Sequence, residues 1–114
     1  MKGNPSDFLP LSPAALLILL SLAGEDLHGY GIMQEVARRK YRIGPGTLYD
    51  NLQKMIERRW VEELGTRPAD DDPRRRYYRL TARGRGILRE ETSRLGEVVR
   101  EARLRLQVAK PRRA

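Results

Sequence analysis

The sequence has no cysteine and only one histidine (His28), one tryptophan (Trp60) and one phenylalanine (Phe8) in 114 residues. Without cysteine there is no disulfide framework, no thiolate zinc site and no thiol nucleophile, which suits a cytoplasmic protein. A lone imidazole is a poor metal ligand set, so His28 is expected to be structural, at the start of a helix, and no cofactor is expected. Gly29-Tyr30-Gly31 and Gly84-Arg85-Gly86 are glycine pairs without a strand leading into them, and no Gly-x4-Gly-Lys-Ser/Thr loop occurs. The parts of an enzyme are therefore missing. The longest apolar run, Ala14 to Ala23, is about half the length that crosses a bilayer. Lys2 before it and Ser21-Leu22-Ala23 within it have some signal-peptide character, but Asp7, Pro10 and Pro13 speak against export, and no membrane partner is expected.

Basic charge is abundant: 23 Lys and Arg oppose 15 Asp and Glu, a net charge of +8. The excess is uneven, because residues 82–114 hold ten basic and four acidic side chains, leaving thirteen and eleven in residues 1–81. A chain of this length supports one core, burying roughly two-thirds of its unfolded surface. Anion-binding surface must then be found in local clusters rather than in an even basic sheath.

Ser12 followed by Pro13 is a helix start, and Leu16, Leu17, Ile18, Leu19, Leu20 and Leu22 cover every direction of the helix that follows. A helix apolar all round needs cover on several sides, for which a second subunit is a natural source. Gly24-Glu25-Asp26 breaks it. A second helix carries an inward stripe of Tyr30, Met33, Val36 and Ala37, and the cations Arg38, Arg39, Lys40 and Arg42 crowd its end, where they either complement the helix dipole or meet an anion. Gly44-Pro45 starts a third helix with Leu48, Leu52, Met55 and Ile56 inward, leaving Thr47, Asp50, Gln53, Lys54, Glu57 and Arg58 on a polar face flanked by Tyr49. Val61–Arg67 and Arg74–Leu80 read as two strands around the turn-rich loop Pro68–Pro73, with Tyr78 and Leu80 on one face and Arg75, Tyr77 and Arg79 on the other.

This order predicts a mainly α fold with a small β-hairpin: a winged helix-turn-helix over residues 12–81, after an N-terminal arm of residues 1–11. Thr81 can cap a last helix over residues 82–109, with residues 110–114 a frayed tail. Leu88, Thr92, Leu95, Val99, Ala102 and Leu106 recur on it like a coiled-coil seam, weakened by Gly84, Gly86 and Gly96. Such a helix must lie on its own domain or on a partner's; the surplus apolar first helix favours the partner, so dimerisation is assigned to Leu16 and Leu20 of the first helix with Leu88, Leu95, Val99, Ala102 and Leu106 of the last.

Leu27–Ile32 (LHGYGI), Gly44–Tyr49 (GPGTLY) and Asp72–Thr81 (DPRRRYYRLT) together resemble the signature segments of the PadR family of bacterial transcriptional regulators, named for phenolic acid decarboxylase regulation. The resemblance runs from about Leu16 into the tail helix and matches the shorter subfamily with one C-terminal helix. It implies a homodimeric DNA-binding protein, usually a repressor, that is released from a palindromic double-stranded operator by a small effector. Family effectors often lie between the first and last helices against aromatic rings, yet residues 82–114 contain no Phe, Tyr or Trp. A second departure is Arg58-Arg59-Trp60, where the family usually has a glycine at the end of the third helix.

The DNA-contacting candidates follow from chemistry and resemblance together. Gly46 and Thr47 at the helix N-terminus, with Tyr49 beside them, suit a phosphate; Gln53, Lys54 and Arg58 reach further, Gln suiting adenine and Arg or Lys guanine. Asp50 either accepts from a cytosine amino group or holds a neighbouring cation. Arg74, Arg75, Arg76 and Arg79 give the hairpin a positive edge, of which Arg74, Arg75 and Arg79 are assigned to DNA, with Asp70, Asp71 and Asp72 as local counter-charges. The alternative function is a winged-helix interaction module whose basic tail binds an acidic partner or RNA.

Overall fold

A computed structural model describes residues 4–65, 72 and 74–109. Ser12 caps helix α1 (Pro13–Gly24), accepting the Ala15 N–H at 3.1 Å, with Pro13 in the first turn where its missing N–H costs nothing. A two-residue strand β1 (Leu27–His28) leads into α2 (Gly29–Ala37), and α3 (Pro45–Glu57) follows a short turn. Strands β2 (Val61–Gly65) and β3 (Tyr77–Leu80) form the hairpin, and α4 (Ala82–Ala109) closes the chain. Ahead of α1, Pro5–Phe8 make a single 3-10 turn capped by Asn4.

The sheet has the antiparallel order β1-β3-β2, pairing Leu27 with Tyr78 and Val61 with Leu80, and a bulge interrupts β2 between Glu63 and Gly65. The strand β1 is an addition to the expected hairpin: two residues are too short for any periodicity to reveal. The expected outer ends of the hairpin, Thr66, Arg67 and the loop from Pro68 to Asp71, lie outside the described residues, as does Pro73. Residues 74–76, expected as strand, precede β3 without strand structure.

One core joins all the helices and the sheet. Ile18, Leu19 and Leu22 of α1 meet Ile32 and Val36 of α2, Leu48, Leu52 and Met55 of α3, and Trp60, Val61, Tyr78 and Leu80 of the hairpin. Ile87 and Leu88 belong to it as well, so the first turns of α4 complete the domain core. Leu88, expected in a dimer seam, is 9% exposed within its own chain. Three inward assignments are corrected. Tyr30 is 60% exposed and Ala37 is exposed, because Gly29, Gly31, Ile32 and Val36 form the inner face of α2; Ile56 lies at the rim rather than inside.

The end of α3 carries the unusual Arg-Arg-Trp sequence without losing the expected turn. Arg59 takes φ +63°, its N–H donates to the Ile56 carbonyl at 3.0 Å, and the Trp60 N–H donates to the Met55 carbonyl at 2.8 Å. That is a Schellman stop with arginine in the left-handed position that normally favours glycine. Thr81 locks it from the other side: its hydroxyl donates to the Arg59 carbonyl at 2.5 Å and accepts the Gly84 N–H at 3.0 Å, which caps α4.

Candidate nucleic-acid interface

Helix α3 opens on Gly44, which offers no side-chain cap, and Pro45, which has no N–H. The Gly46 and Thr47 amides lie in the exposed first turn and make no hydrogen bond among the described residues. A helix N-terminus left in this state carries uncompensated partial positive charge and suits a phosphate oxygen. Thr47, Asp50, Gln53, Lys54 and Glu57 are all exposed along one face, as the helical period requires, and Asn51 is turned back to donate to the Thr47 carbonyl at 2.9 Å. Asp50 makes no ion pair among the described residues, so it does not hold a neighbouring cation here.

Tyr49 is half-exposed beside this opening and rests its hydroxyl on Gly29, where a Cβ would collide with the phenol oxygen. Gly29 thus permits the closest approach of α3 to the start of α2. His28 supports the same junction from below: its Nδ1 accepts the Gly31 N–H at 3.1 Å, capping α2, and its ring stands edge-on to Tyr77 at 5.2 Å. The structural role expected for His28 is therefore the one observed. Tyr30, missed as a surface residue, projects from the same corner; only its misreading as a stripe residue hid it.

The wing supplies arginines from the far side of a cleft of about 440 Å³ whose walls include Tyr30, Tyr49, Arg74, Arg75 and Arg76. Its cations are not equivalent. Arg74 is folded onto Asp72, with its backbone N–H at 2.9 Å and Nε at 3.2 Å; those bonds, the backbone one foremost, hold the Asp72 carboxyl below the usual carboxylate range. Arg76 faces Glu63 at 3.4 Å. Arg79 makes a two-point pair with Asp26, at 2.9 and 3.2 Å, which strengthens its hold on its proton and ties β3 to the segment before β1. Arg75 makes no ion pair among the described residues, and the expected counter-charges Asp70 and Asp71 lie outside them. The structure thus brings Tyr49 of α3 into one cleft with Arg74 and Arg75, leaves Gly46, Thr47 and Gln53 exposed on α3, and sets Lys54 on a second cavity with Arg58. It pairs the half-exposed Arg79 with Asp26 and places Arg58 at the far end of α3, its guanidinium 5.0 Å over the Phe8 ring and 5.2 Å over Trp60.

In the second helix end, Arg38 and Arg39 turn inward on Glu35, at 3.1 and 3.6 Å, and Arg39 also donates to the Glu35 carbonyl.

The chain matches the family model described as "Transcriptional regulator PadR-like family" over residues 18–90. The chain belongs to the PadR-like family. It is 38% identical over 86 residues to a transcriptional regulator of Mycobacterium tuberculosis, covering 75% of this chain and 78% of that protein. A PadR family transcription regulator from Clostridium difficile superposes with a TM-score of 0.75 at 24% identity, over 83% of this chain and 99% of that one. A structure of Bordetella bronchiseptica BpsR, concerned with regulation of its DNA binding by 6-hydroxynicotinic acid, superposes with a TM-score of 0.63 at 18% identity, over 80% and 64% of the two chains. The PadR fold, a winged helix-turn-helix with a C-terminal helix, is therefore established for this chain, and with it membership of a family of DNA-binding transcription regulators. No helix among the described residues is long and apolar enough to cross a membrane.

Proposed function

We propose that this PadR-family chain acts as a homodimeric repressor whose two α3 helices enter successive major grooves of a palindromic operator, about one helical turn apart. The observation that carries the reading is the open N-terminus of α3 with its exposed polar face, together with Tyr49, which shares a cleft with the wing arginines Arg74 and Arg75. Thr47, Tyr49 and the Gly46 amide take a phosphate, Gln53 and Lys54 face the groove, and Arg74 and Arg75 reach flanking phosphates. Dimerisation falls to the α4 surface beyond Glu91 together with Leu16 and Leu20 of α1. Leu95 is half-buried, while Val99, Ala102 and Leu106 are exposed, the last at 71%. A small effector would release the operator, a reading supported by the control of BpsR, a protein of the same fold, by 6-hydroxynicotinic acid.

Anisotropy titrations of duplex DNA from the protein's own upstream region, across a series of salt concentrations, test the contacts. Lys54→Ala is expected to weaken all sequences alike and to lower the salt slope by about 1, as is Arg75→Ala, whereas Gln53→Ala changes preference at one base pair. Arg79→Ala, by contrast, leaves the slope unchanged because that arginine is held by Asp26. Wild-type slopes in both the Lys54 and the Arg75 variants would remove the proposed face from the interface.

A further inference from the structure

The segment ahead of α1, from the 3-10 turn Pro5–Phe8 to the cap Ser12, touches the end of α3 at one point and the side of α4 at another. At the first point the half-buried Phe8 stands edge-on to Trp60, ring centres 5.2 Å apart, and the Arg58 guanidinium covers both rings. Trp60 ends α3 through its N–H bond to the Met55 carbonyl, and its own carbonyl accepts the Thr81 N–H at 3.0 Å, one residue ahead of α4. Phe8 therefore rests on the junction of α3, the hairpin and α4. With Asn51, Lys54 and Arg58 the same segment walls a gap of about 230 Å³, so it runs beside the last two turns of α3.

The second point lies three residues on, where the Leu11 N–H donates to Oε2 of Glu91 at 3.0 Å. Glu91 is buried and also accepts from Arg94, whose Nε and Nη2 donate at 2.6 and 3.0 Å. A buried carboxylate is held only where its bonds keep good geometry, so this tie has a defined position on α4. Among the described residues no later side chain of α4 is buried. Residues 92–109 then make a rod of about 27 Å whose direction is set at or before Glu91. A tilt of about 10° at Glu91 moves the end of that rod by about 5 Å, more than the step of about 3.4 Å between base pairs. With the rod held by a second copy, the same tilt displaces α3 instead.

We propose that this segment is a strap that fixes the angle between α3 and α4, with Phe8 and Glu91 as positioning residues that set the half-site spacing the protein accepts. Phe8 holds the strap to the end of the reading helix, and Glu91 holds it to the helix that carries the dimer surface. Neither residue needs to touch DNA to act in this way. The angle is a property of one chain; its consequence for the operator rests on the proposed dimeric reading.

Because the chain has no cysteine, Glu57→Cys with Gln107→Cys, both exposed, accept two spin labels, one at the end of α3 and one near the end of α4. Dilution with unlabelled protein leaves the distances within one chain, which pulsed electron spin resonance reads without DNA. Phe8→Ala and, separately, Glu91→Ala are expected to widen the distance distribution at least about twofold, while Phe8→Tyr keeps it narrow. Ile32→Val, which destabilises the core from α2, leaves the width unchanged. Palindromic duplexes with half-sites one base pair closer or further apart should bind the wild type at least about tenfold more weakly than the best spacing. In Phe8→Ala that discrimination falls to about threefold or less, with weak binding to unrelated duplex unchanged, whereas simple destabilisation would scale every affinity alike. A wild-type width in both Phe8→Ala and Glu91→Ala overturns the strap whether or not the protein binds DNA. A widened distribution with wild-type discrimination between spacings overturns its link to the operator. A wild type that shows no preference for any palindrome would instead refute the proposed function, and the labelled pair would still decide the strap.

Discussion

Glu91 is the one buried carboxylate of the described core, 1% exposed on a helix whose neighbouring charged side chains are all in solvent. Arg94, with two hydrogen bonds, and then the Leu11 N–H hold its pKa below the usual carboxylate range against the opposing effect of burial. A carboxyl lowered in the folded state adds stability that is complete above its unfolded value of about 4.3 and is lost as pH falls through the folded value. Glu91→Gln is therefore expected to lower stability by about 1–3 kcal/mol near neutral pH, the cost of weakening buried hydrogen bonds to a charged group. Melting temperatures followed from about pH 7 to about pH 3 should show wild type and variant converging at the acid end. Parallel curves would show that the Leu11 tie does not depend on the charge. Nothing in the sequence singled out Glu91, since Glu-Glu pairs are common on exposed helix faces and its partner Leu11 lies 80 residues away. His28, Ser12 and Thr81 were legible because caps act on amides only three residues ahead. Arg59 was legible as a conflict between side chain and backbone, and the structure resolves the conflict in favour of the backbone.

At the scale of elements, three glycines in α4 that share one propensity cost turn out to differ in kind. A Cβ at Gly84 would collide with the Trp60 carbonyl and lie 2.7 Å from the Leu80 side chain, so the start of α4 packs directly on the hairpin backbone. At Gly86 a Cβ meets nothing within 4 Å. Gly84→Ala is thus expected to destabilise by about 1–3 kcal/mol through overpacking, and Gly86→Ala to stabilise by about 0.5–1 kcal/mol through helix propensity. Chemical denaturation midpoints of the two variants on opposite sides of wild type would meet this expectation; a shift in the same direction would contradict it. The helices were legible because their apolar spacing repeats over three turns or more, whereas β1 and the inner face of α2 were not. In α2 glycine rather than a large side chain marks the buried side, since Gly29 and Gly31 are buried. The pairing of Arg79 with Asp26 joins residues 53 apart, and the sequence pattern of the wing offered only the nearby Asp70, Asp71 and Asp72 as counter-charges.

At the scale of the whole molecule, α4 divides at Glu91. Its 28 residues make a rod of about 42 Å, and only its first turns, through Ile87 and Leu88, belong to the core. Beyond them Val98, Val99, Leu104 and Leu106 remain 44% exposed or more, and Thr92, Leu95, Gly96, Val99 and Leu104, with Arg100 and Arg103, border a shallow, open groove of about 590 Å³ along α4. An isolated helix with this composition and a glycine at residue 96 is marginal in water, and its stability has to come from tertiary or quaternary packing. A second copy covering the groove would supply that packing and would also fix the spacing of the two α3 helices that the proposed operator reading needs. The groove shifts the expected seam, since Leu104 joins Leu95 and Val99 in its lining while Leu88 has turned to its own core. Val99→Asp, which puts a carboxylate on the groove without touching the winged domain, is expected to convert the dimer to a monomer in sedimentation at micromolar concentration. The fold of residues 13–91 should survive by circular dichroism, because none of its core side chains contacts the substitution site. Operator affinity should then fall while weak binding to unrelated duplex DNA persists, since each α3 and wing still presents its own cations. A Val99→Asp protein that sediments as a dimer would place the partner surface elsewhere, on the exposed side of α1 around Leu20.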